Sequence, residues 1–239
     1  MIQTGDDLVD ILLQSLQKAQ IELQSGDVLV LAQKIVSKAE GRWVNLETVT
    51  PSPEAEALGA ETEKDSRLVE MLLQESRKIV RKRPGLIITE HNLGFISANA
   101  GIDHSNVMGS ENWILLLPKD PSASAARIRE GLAQATGAKV GVLVIDSHGR
   151  AWRNGTVGIT IGLSGVPGVV DRRGELDLFG YEMRATIVGA ADELAAGASL
   201  LMGQVDEATP VVLVRGFPYP LRDAAMDEIL RDEELDLFR

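Results

Sequence analysis

Apolar residues in the opening stretch GDDLVDILLQSLQKAQ fall at Leu8, Ile11, Leu12 and Leu16, a spacing that lines one face of a helix. Asp6 and Asp7 stand just ahead of it, where carboxylates favour a helix amino end. After a Ser-Gly-Asp turn the pattern changes to an unbroken apolar run from Val28 to Ala32, which reads as a strand feeding a polar loop or helix through Gly41. From Asp65 to Arg83, Leu68, Met71, Leu72 and Ile79 keep to roughly one helical face until Pro84-Gly85 stops the pattern, so a second long helix is expected there. Leu86–Thr89, Trp113–Leu117 and Val140–Ile145 are short apolar runs with β-branched content, each a strand candidate. Between the last two, Asp120 is placed to cap a helix, Pro121 suits its first turn, and Gly137 closes it.

Glycine is dense from Gly149 to Gly180, among aspartates and arginines, which predicts backbone turns approaching a ligand more than a regular packed element. Ala190–Met202 reads as a helix, Val211–Val214 as a buried strand, and the acidic tail 218–239 as carrying an amphipathic helix from Ala224 to Phe238. Strands and helices mix without strict alternation, so the expected class is α+β. No repeat or sharp break in composition divides the chain, and 1–239 is taken as one domain that could hold two coupled lobes.

Composition narrows the function. The 239 residues are 44% apolar and 25% charged, enough to bury a sizeable core. A formal net charge of -11 argues against a nucleic-acid partner, which needs a basic footprint. Any phosphate must then be gripped locally, by backbone N–H groups, a few lysines or arginines, and divalent cations on carboxylates. With no cysteine, disulfides, thiolate catalysis and Cys-based zinc sites are excluded. The amino terminus lacks the basic start of a signal peptide, and no apolar stretch reaches the ~18 residues of a membrane span, so a soluble cytoplasmic protein with no membrane partner is expected.

Four segments could carry chemistry. In VGVLVIDSHGRAWRNG a strand ends on Asp146-Ser147, a carboxylate and a hydroxyl that suit Mg²⁺ beside substrate phosphates; a self-capped turn is the alternative. In LGFISANAGIDHSNV, Asn99, Asp103, His104, Ser105 and Asn106 gather around Gly101, and Asp103 is either another oxygen ligand or part of a self-bonded Asx loop. In AQKIVSKAEGR, Gln33, Lys34 and Lys38 follow a strand, where lysines meet phosphate oxygens or simply face solvent. In LLMGQVDEATPVVLVRG, Gly203 caps a helix and Gln204 could offer its amide oxygen to a metal. A P-loop, G-x-G-x-x-G, G-x-S-x-G and HExxH are all missing, which leaves P-loop, Rossmann, serine-hydrolase and zincin readings unsupported.

Taken in order, GDDL, VLVLAQKIVSKAEGR, LGFISANAGIDHSNV, VIDSHGRAWRNGTVGITIG, ADELAAGASLLMGQ and PVVLVRG resemble the successive blocks of the coenzyme F420-0:L-glutamate ligase family over roughly residues 5 to 217. The resemblance implies an amide-bond ligase that consumes GTP, joins L-glutamate to the lactyl carboxylate of coenzyme F420-0, releases GDP and phosphate, and allows a further γ-linked glutamate. It also implies an α+β fold of its own in an intertwined homodimer, and a site using Mg²⁺ or Mn²⁺ with K⁺. Carried over, Asp103, Asp146, Ser147 and Gln204 correspond to metal ligands. Gln33, Lys34, Lys38, Asn106 and the loop from Met202 through Gly203, Gln204 and Val205 to Thr209 correspond to nucleotide contacts. Lys38 would offset phosphate charge, and Arg153 or Arg172 would hold an acidic group of glutamate or coenzyme through a bidentate fork.

The chain departs from that family's pattern at four places. Met1 stands only four residues before GDDL, where the family has a short strand and a Gly-Leu-Pro-like turn; Ser147 replaces the usual Thr; His148 replaces a larger apolar residue; and Gln33-Lys34 stands where Ser-Thr is frequent. These bear on nucleotide identity more than on metal use. The competing readings are a ligase for another acidic cofactor and a non-catalytic nucleotide- or metal-binding homologue.

Overall fold

The computed structural model describes residues 1–107 and 109–237. In chain order its helices are α1 (Leu8–Lys18), α2 (Gln33–Ala39), α3 (Pro53–Thr62), α4 (Ser66–Gln74), α5 (Pro121–Thr136) and α6 (Ala190–Met202). The strands are β1 (Val28–Ala32), β2 (Trp43–Asn45), β3 (Ser76–Arg83), β4 (Leu86–His91), β5 (Ile96–Ala98), β6 (Trp113–Leu115), β7 (Gly141–Arg150), β8 (Arg153–Ser164), β9 (Val170–Asp171), β10 (Ile187–Val188) and β11 (Val211–Val214). The class is mixed α and β, as expected.

The central sheet has the order β11-β1-β7-β8. Its inner pair is parallel, with Val28 opposite Gly141 and Ala32 opposite Ile145, and β11 and β8 flank it antiparallel. The unbroken apolar run in β1 follows from burial on both faces. Leu29, Leu31, Val142 and Val144 meet α1 and α5 through Leu8, Leu12, Ile128 and Leu132 on one side. Val28, Val30, Leu143 and Ile145 meet Ala191, Ala195, Ala198 and Met202 of α6 on the other. The helix ends obey their capping residues: the Asp7 carboxylate accepts from the Val9 and Asp10 amides, Asp120 accepts from Ala123 N at 2.9 Å, and Gly137 takes a left-handed φ of 74°.

A second cluster of elements carries α3, α4, the sheet β3-β4-β5 and the pair β2-β6, around Leu58, Val69, Leu72, Ile87 and Ile114. Here the expected helix over Asp65–Arg83 is corrected. It ends at Gln74, where Ser76 Oγ caps back onto the Leu72 carbonyl at 2.6 Å, and Ser76–Arg83 becomes an edge strand paired with β4. Beyond Leu73 only Ile79 and Val80 are apolar, among Arg77, Lys78, Arg81, Lys82 and Arg83. Such β-branched residues pair well in a strand, and the charges guard its open edge.

The glycine-dense stretch is also corrected: much of it is β8, hairpinned onto β7. Its glycines admit helices, since a Cβ on Gly158 would lie 2.6 Å from the Ala195 carbonyl oxygen, and one on Gly162 would lie 2.4 Å from backbone carbon of Pro121. The acidic tail forms no α-helix among the described residues, only 3-10 turns at Met226–Glu228 and Glu233–Leu235; Phe238 lies outside them. A helix there would stack Glu228 on Asp232 and Asp232 on Asp236 at i,i+4, which is repulsive. Its apolar residues also divide, Met226 and Ile229 toward the α6 side and Leu230 toward the α1/α5 side, which one helical stripe cannot do. No helix among the described residues is long and apolar enough to cross a membrane.

Candidate functional site

β1 ends opposite Ile145 of the parallel strand β7, which runs on to Arg150, and the carboxyl ends of parallel strands are where open α/β sheets place ligands. β1 hands directly to α2, so Gln33, Lys34 and Lys38 emerge there. β7 delivers Asp146 and Ser147, and α6 ends at Met202 against Gly203, whose φ of 73° turns the chain into the loop to Pro210. These segments wall a cavity of about 2100 Å³ that Lys34, Lys38, Asn106, Asp146, Ser147 and Gln204 all line. Met202, Gly203, Val205 and the loop onward to Thr209 line it as well.

Asp103 arrives from the other cluster of elements. Asn99, Ala100 and Gly101 take left-handed φ of 50°, 52° and 66° in succession, an arrangement that costs a buried alanine about 1–2 kcal/mol. The turn aims Asp103 at α2, and residue 103 is further fixed by a bridge to Leu115. Gln33 Nε2 donates to Asp103 Oδ2 at 2.5 Å, while Lys34 Nζ stands 3.3 Å from Oδ1 and donates to Ser105 Oγ at 2.9 Å. Ser37 Oγ donates to Gln33 Oε1 at 2.8 Å, which fixes the amide so that its nitrogen faces the carboxylate. Lys38 Nζ donates to the Asn106 carbonyl at 2.6 Å and lies 5.5 Å from the Trp43 ring centre. Asn106 in turn donates through Nδ2 to the Val205 carbonyl at 2.8 Å, which ties this loop to the one after α6. The self-bonded Asx loop is therefore not what forms around Asp103.

The electrostatics are those of crowded carboxylates. Burial, and next the charge of Asp146, push Asp103 up to about 6, against the opposing pull of Lys34 and Gln33. Burial, with Lys34 beside it, lowers Lys38, and Asp103 partly offsets this. Asp146 lies within β7, which continues to Arg150, and its Oδ2 is 3.0 Å from His148 Nε2, so the turn-capping alternative does not hold. The donor set of Asp103, Asp146, the Ser147 hydroxyl and the Gln204 amide oxygen is all oxygen and fits a hard cation. No group of three His, Asp or Glu side chains with metal-holding geometry occurs among the described residues, so a cation here would complete its shell with hydroxyl, amide, water or substrate oxygens.

Among the expected residues, Asp103 is held by Gln33 and Lys34 of the cavity wall without itself lining the cavity, and two arginines are not brought to it at all. Arg153 sits exposed at the β7–β8 hairpin tip opposite Arg150, because the hairpin runs past the sheet edge, and Arg172 pairs with Glu175 at 2.6 Å on a projecting arm. The arginine that lines the cavity is Arg67, bound to Asp65 at the start of α4, and nothing in the pattern of α4 distinguished it. His148, Trp43 and Ser199 were also missed. Ser199 accepts from Gln204 Nε2 at 3.1 Å and looked only like one more small residue of an Ala-rich helix.

Comparison with known proteins identifies the family. The chain is 44% identical over 241 residues to the coenzyme F420:L-glutamate ligase of Methanothermobacter thermautotrophicus, covering 100% of this chain and 95% of that protein. It is 44% identical over 245 residues to the protein of the same name from Methanopyrus kandleri, covering 100% and 93%. The namesake from Archaeoglobus fulgidus is 39% identical over 239 residues, covering 100% and 92%. The profile of the F420-0:Gamma-glutamyl ligase family matches residues 1–216, and the chain belongs to that family.

Proposed function

We propose that the protein joins L-glutamate to coenzyme F420-0 in a GTP-dependent reaction, with Asp103 and Asp146 holding Mg²⁺ or Mn²⁺ together with Ser147 and Gln204. K⁺ is included as an accessory ion, and the same chemistry admits a further γ-linked glutamate. The observation that carries this reading is that Asp146 and two lysines line a cavity large enough for several small molecules, with Asp103 paired to one of those lysines and close enough to Asp146 to feel its charge. The relatives' names contain L-glutamate and coenzyme F420, and GTP is part of the proposal alone.

A carboxylate has a poor leaving group, so it must be activated before an amine can displace it. In the proposed route a lactyl carboxylate oxygen attacks the γ-phosphorus of GTP, the bond to the β-bridging oxygen breaks, and GDP departs. The glutamate amine then attacks the acyl-phosphate carbonyl, loses a proton, and expels phosphate that carries the former carboxylate oxygen. Divalent cations held by Asp103, Asp146, Ser147 and Gln204 would neutralise charge on the phosphate oxygens. Lys34 and Lys38 add local positive charge, while Asn106 and the Met202–Val205 turn frame the nucleotide. Arg67, on the same cavity, is placed to meet an acidic group of substrate.

The proposal includes a cytoplasmic homodimer. Residues 171–187 fold on themselves as an arm, with Arg172 N bonded to the Thr186 carbonyl and Gly174 N to that of Met183. Its tip leaves Leu178 98% and Phe179 94% exposed, and a two-stranded arm is marginal alone in water. A second copy covering that tip accounts for both.

Oxygen labelling tests the chemistry. With ¹⁸O in the lactyl carboxylate, one ¹⁸O should appear in the released phosphate; phosphate free of label would exclude the acyl phosphate.

A further inference from the structure

His148 is buried to 5% exposure, yet it lies beside a residue that faces the cavity. Residues two apart in a strand share a face, and the side chains of Asp146 and His148 accordingly meet, Nε2 to Oδ2 at 3.0 Å. The ring's other nitrogen, Nδ1, is buried with no hydrogen-bond partner. Only one tautomer suits that arrangement. With the proton on Nε2 the ring donates to Asp146 and leaves a bare acceptor at Nδ1. With the proton on Nδ1 a buried N–H would go unpaired, and the Nε2 lone pair would face a carboxylate oxygen.

The ring is also held in orientation. Phe95, itself buried, packs against it with ring centres 5.2 Å apart and planes tilted by 56°, and Phe95 in turn stacks on His91 at 5.1 Å. The carboxylate at 146 is therefore fixed from the core by a donor that cannot readily turn away, while the residue still reaches the cavity wall. Asp103 has a matching device on the other side, since Gln33 Nε2 is presented to it by the Ser37–Gln33 bond. Lys34 Nζ also stands 3.3 Å from the other Asp103 oxygen, so what the two carboxylates share is a contact with a protein N–H that is itself held from behind.

We infer that His148 is a positioning residue: through Nε2–H it fixes the Asp146 carboxylate so that its other oxygen is presented to a divalent cation in the cavity. The inference rests on the proposed cation site. Hydrogen-bonded partners behind a metal ligand commonly matter for affinity by about 10–100-fold. His148 reaches the reaction only through Asp146, and touches no substrate.

Two measurements on the purified full-length chain decide this. Mn²⁺ binding, followed by the electron paramagnetic resonance of the free ion, should weaken about 10–100-fold in His148→Phe, which keeps a ring against Phe95 but removes the donor. His148→Gln, whose amide nitrogen can reach a similar point, should recover most of the affinity. The ¹⁵N shifts of the wild-type imidazoles, assigned by loss of the His148 signals in His148→Gln, should show the Nε2–H tautomer at His148. Wild-type Mn²⁺ affinity in folded His148→Phe would overturn the role of His148 alone, as would an Nδ1–H tautomer should that variant fail to fold. Absence of Mn²⁺ binding by the wild-type chain would overturn the cation site, and this role with it.

Discussion

Gln33 and Asp103, 70 residues apart in sequence, meet at 2.5 Å where the end of β1 faces the loop after β5. Their bond fastens the central sheet to the second cluster of elements at the point where the cavity begins. Ser37 fixes the amide, so the contact has a defined polarity and the carboxylate accepts. Gln33→Leu should leave a half-buried carboxylate short of a donor and cost about 1–3 kcal/mol, read by urea unfolding.

Asp146→Asn should abolish turnover, because it removes a charge from the oxygen set while preserving shape. Its circular dichroism and unfolding midpoint should match the wild type. Wild-type turnover at saturating Mn²⁺ would show that Asp146 holds no essential ion.

Asp103 imposes a pH dependence with a definite sign. Its folded value of about 6 lies above the ordinary 3.8, so between about pH 4 and 6 the folded protein keeps a proton that the unfolded chain releases. Stability of the metal-free protein from this group is therefore greatest below about pH 4 and falls as pH rises through about 6, by up to about 3 kcal/mol. Asp103→Asn should remove that component, seen by comparing unfolding at about pH 4.5 and 7 in a chelator. Cation affinity should run the opposite way, rising up to tenfold for each pH step of one below about 6, since the ion displaces the proton.

Gly162→Ala should destabilise by about 1–3 kcal/mol, because the added methyl meets the backbone of Pro121, which cannot rotate aside. A lowered melting temperature with unchanged Mn²⁺ affinity is expected. An unchanged melting temperature would mean that α5 can shift freely over β8.

Replacing both Leu178 and Phe179 with aspartate should convert the proposed dimer to a monomer without unfolding it. Light scattering after size exclusion reads the mass. A wild-type monomer would remove the arm's proposed role.

The core was legible where one signal dominated. The unbroken run at Val28–Ala32, the Asp120-Pro121 start and the Gly137 stop each admit few alternatives, and each holds. The segment 76–83 misled because Ile79 continues the helical stripe by coincidence, while its conformation is decided by the hairpin to β4 across Pro84-Gly85, a turn that reads equally well as a helix stop. The glycines at 158 and 162 looked like ligand turns, since sequence does not show which helix will press on a strand. Within the site, Asp103, Asp146, Gln33 and Lys34 were visible as polar chemistry following apolar runs, although Asp146 lies within β7 and not at its end. His148 was hidden, because its significance lies in a buried ring against Phe95 and in one carboxylate oxygen. Arg153 looked suitable by type, but the hairpin carries it outward.

The central claim is that this cavity performs glutamate ligation driven by GTP. The most direct test incubates the protein with GTP, Mn²⁺, K⁺, L-glutamate and coenzyme F420-0, omitting each in turn, and follows product mass alongside GDP. The account predicts GDP release that requires both acceptors, together with coenzyme heavier by one glutamyl unit. Intact GTP and unchanged coenzyme from folded, Mn²⁺-bound protein would contradict it.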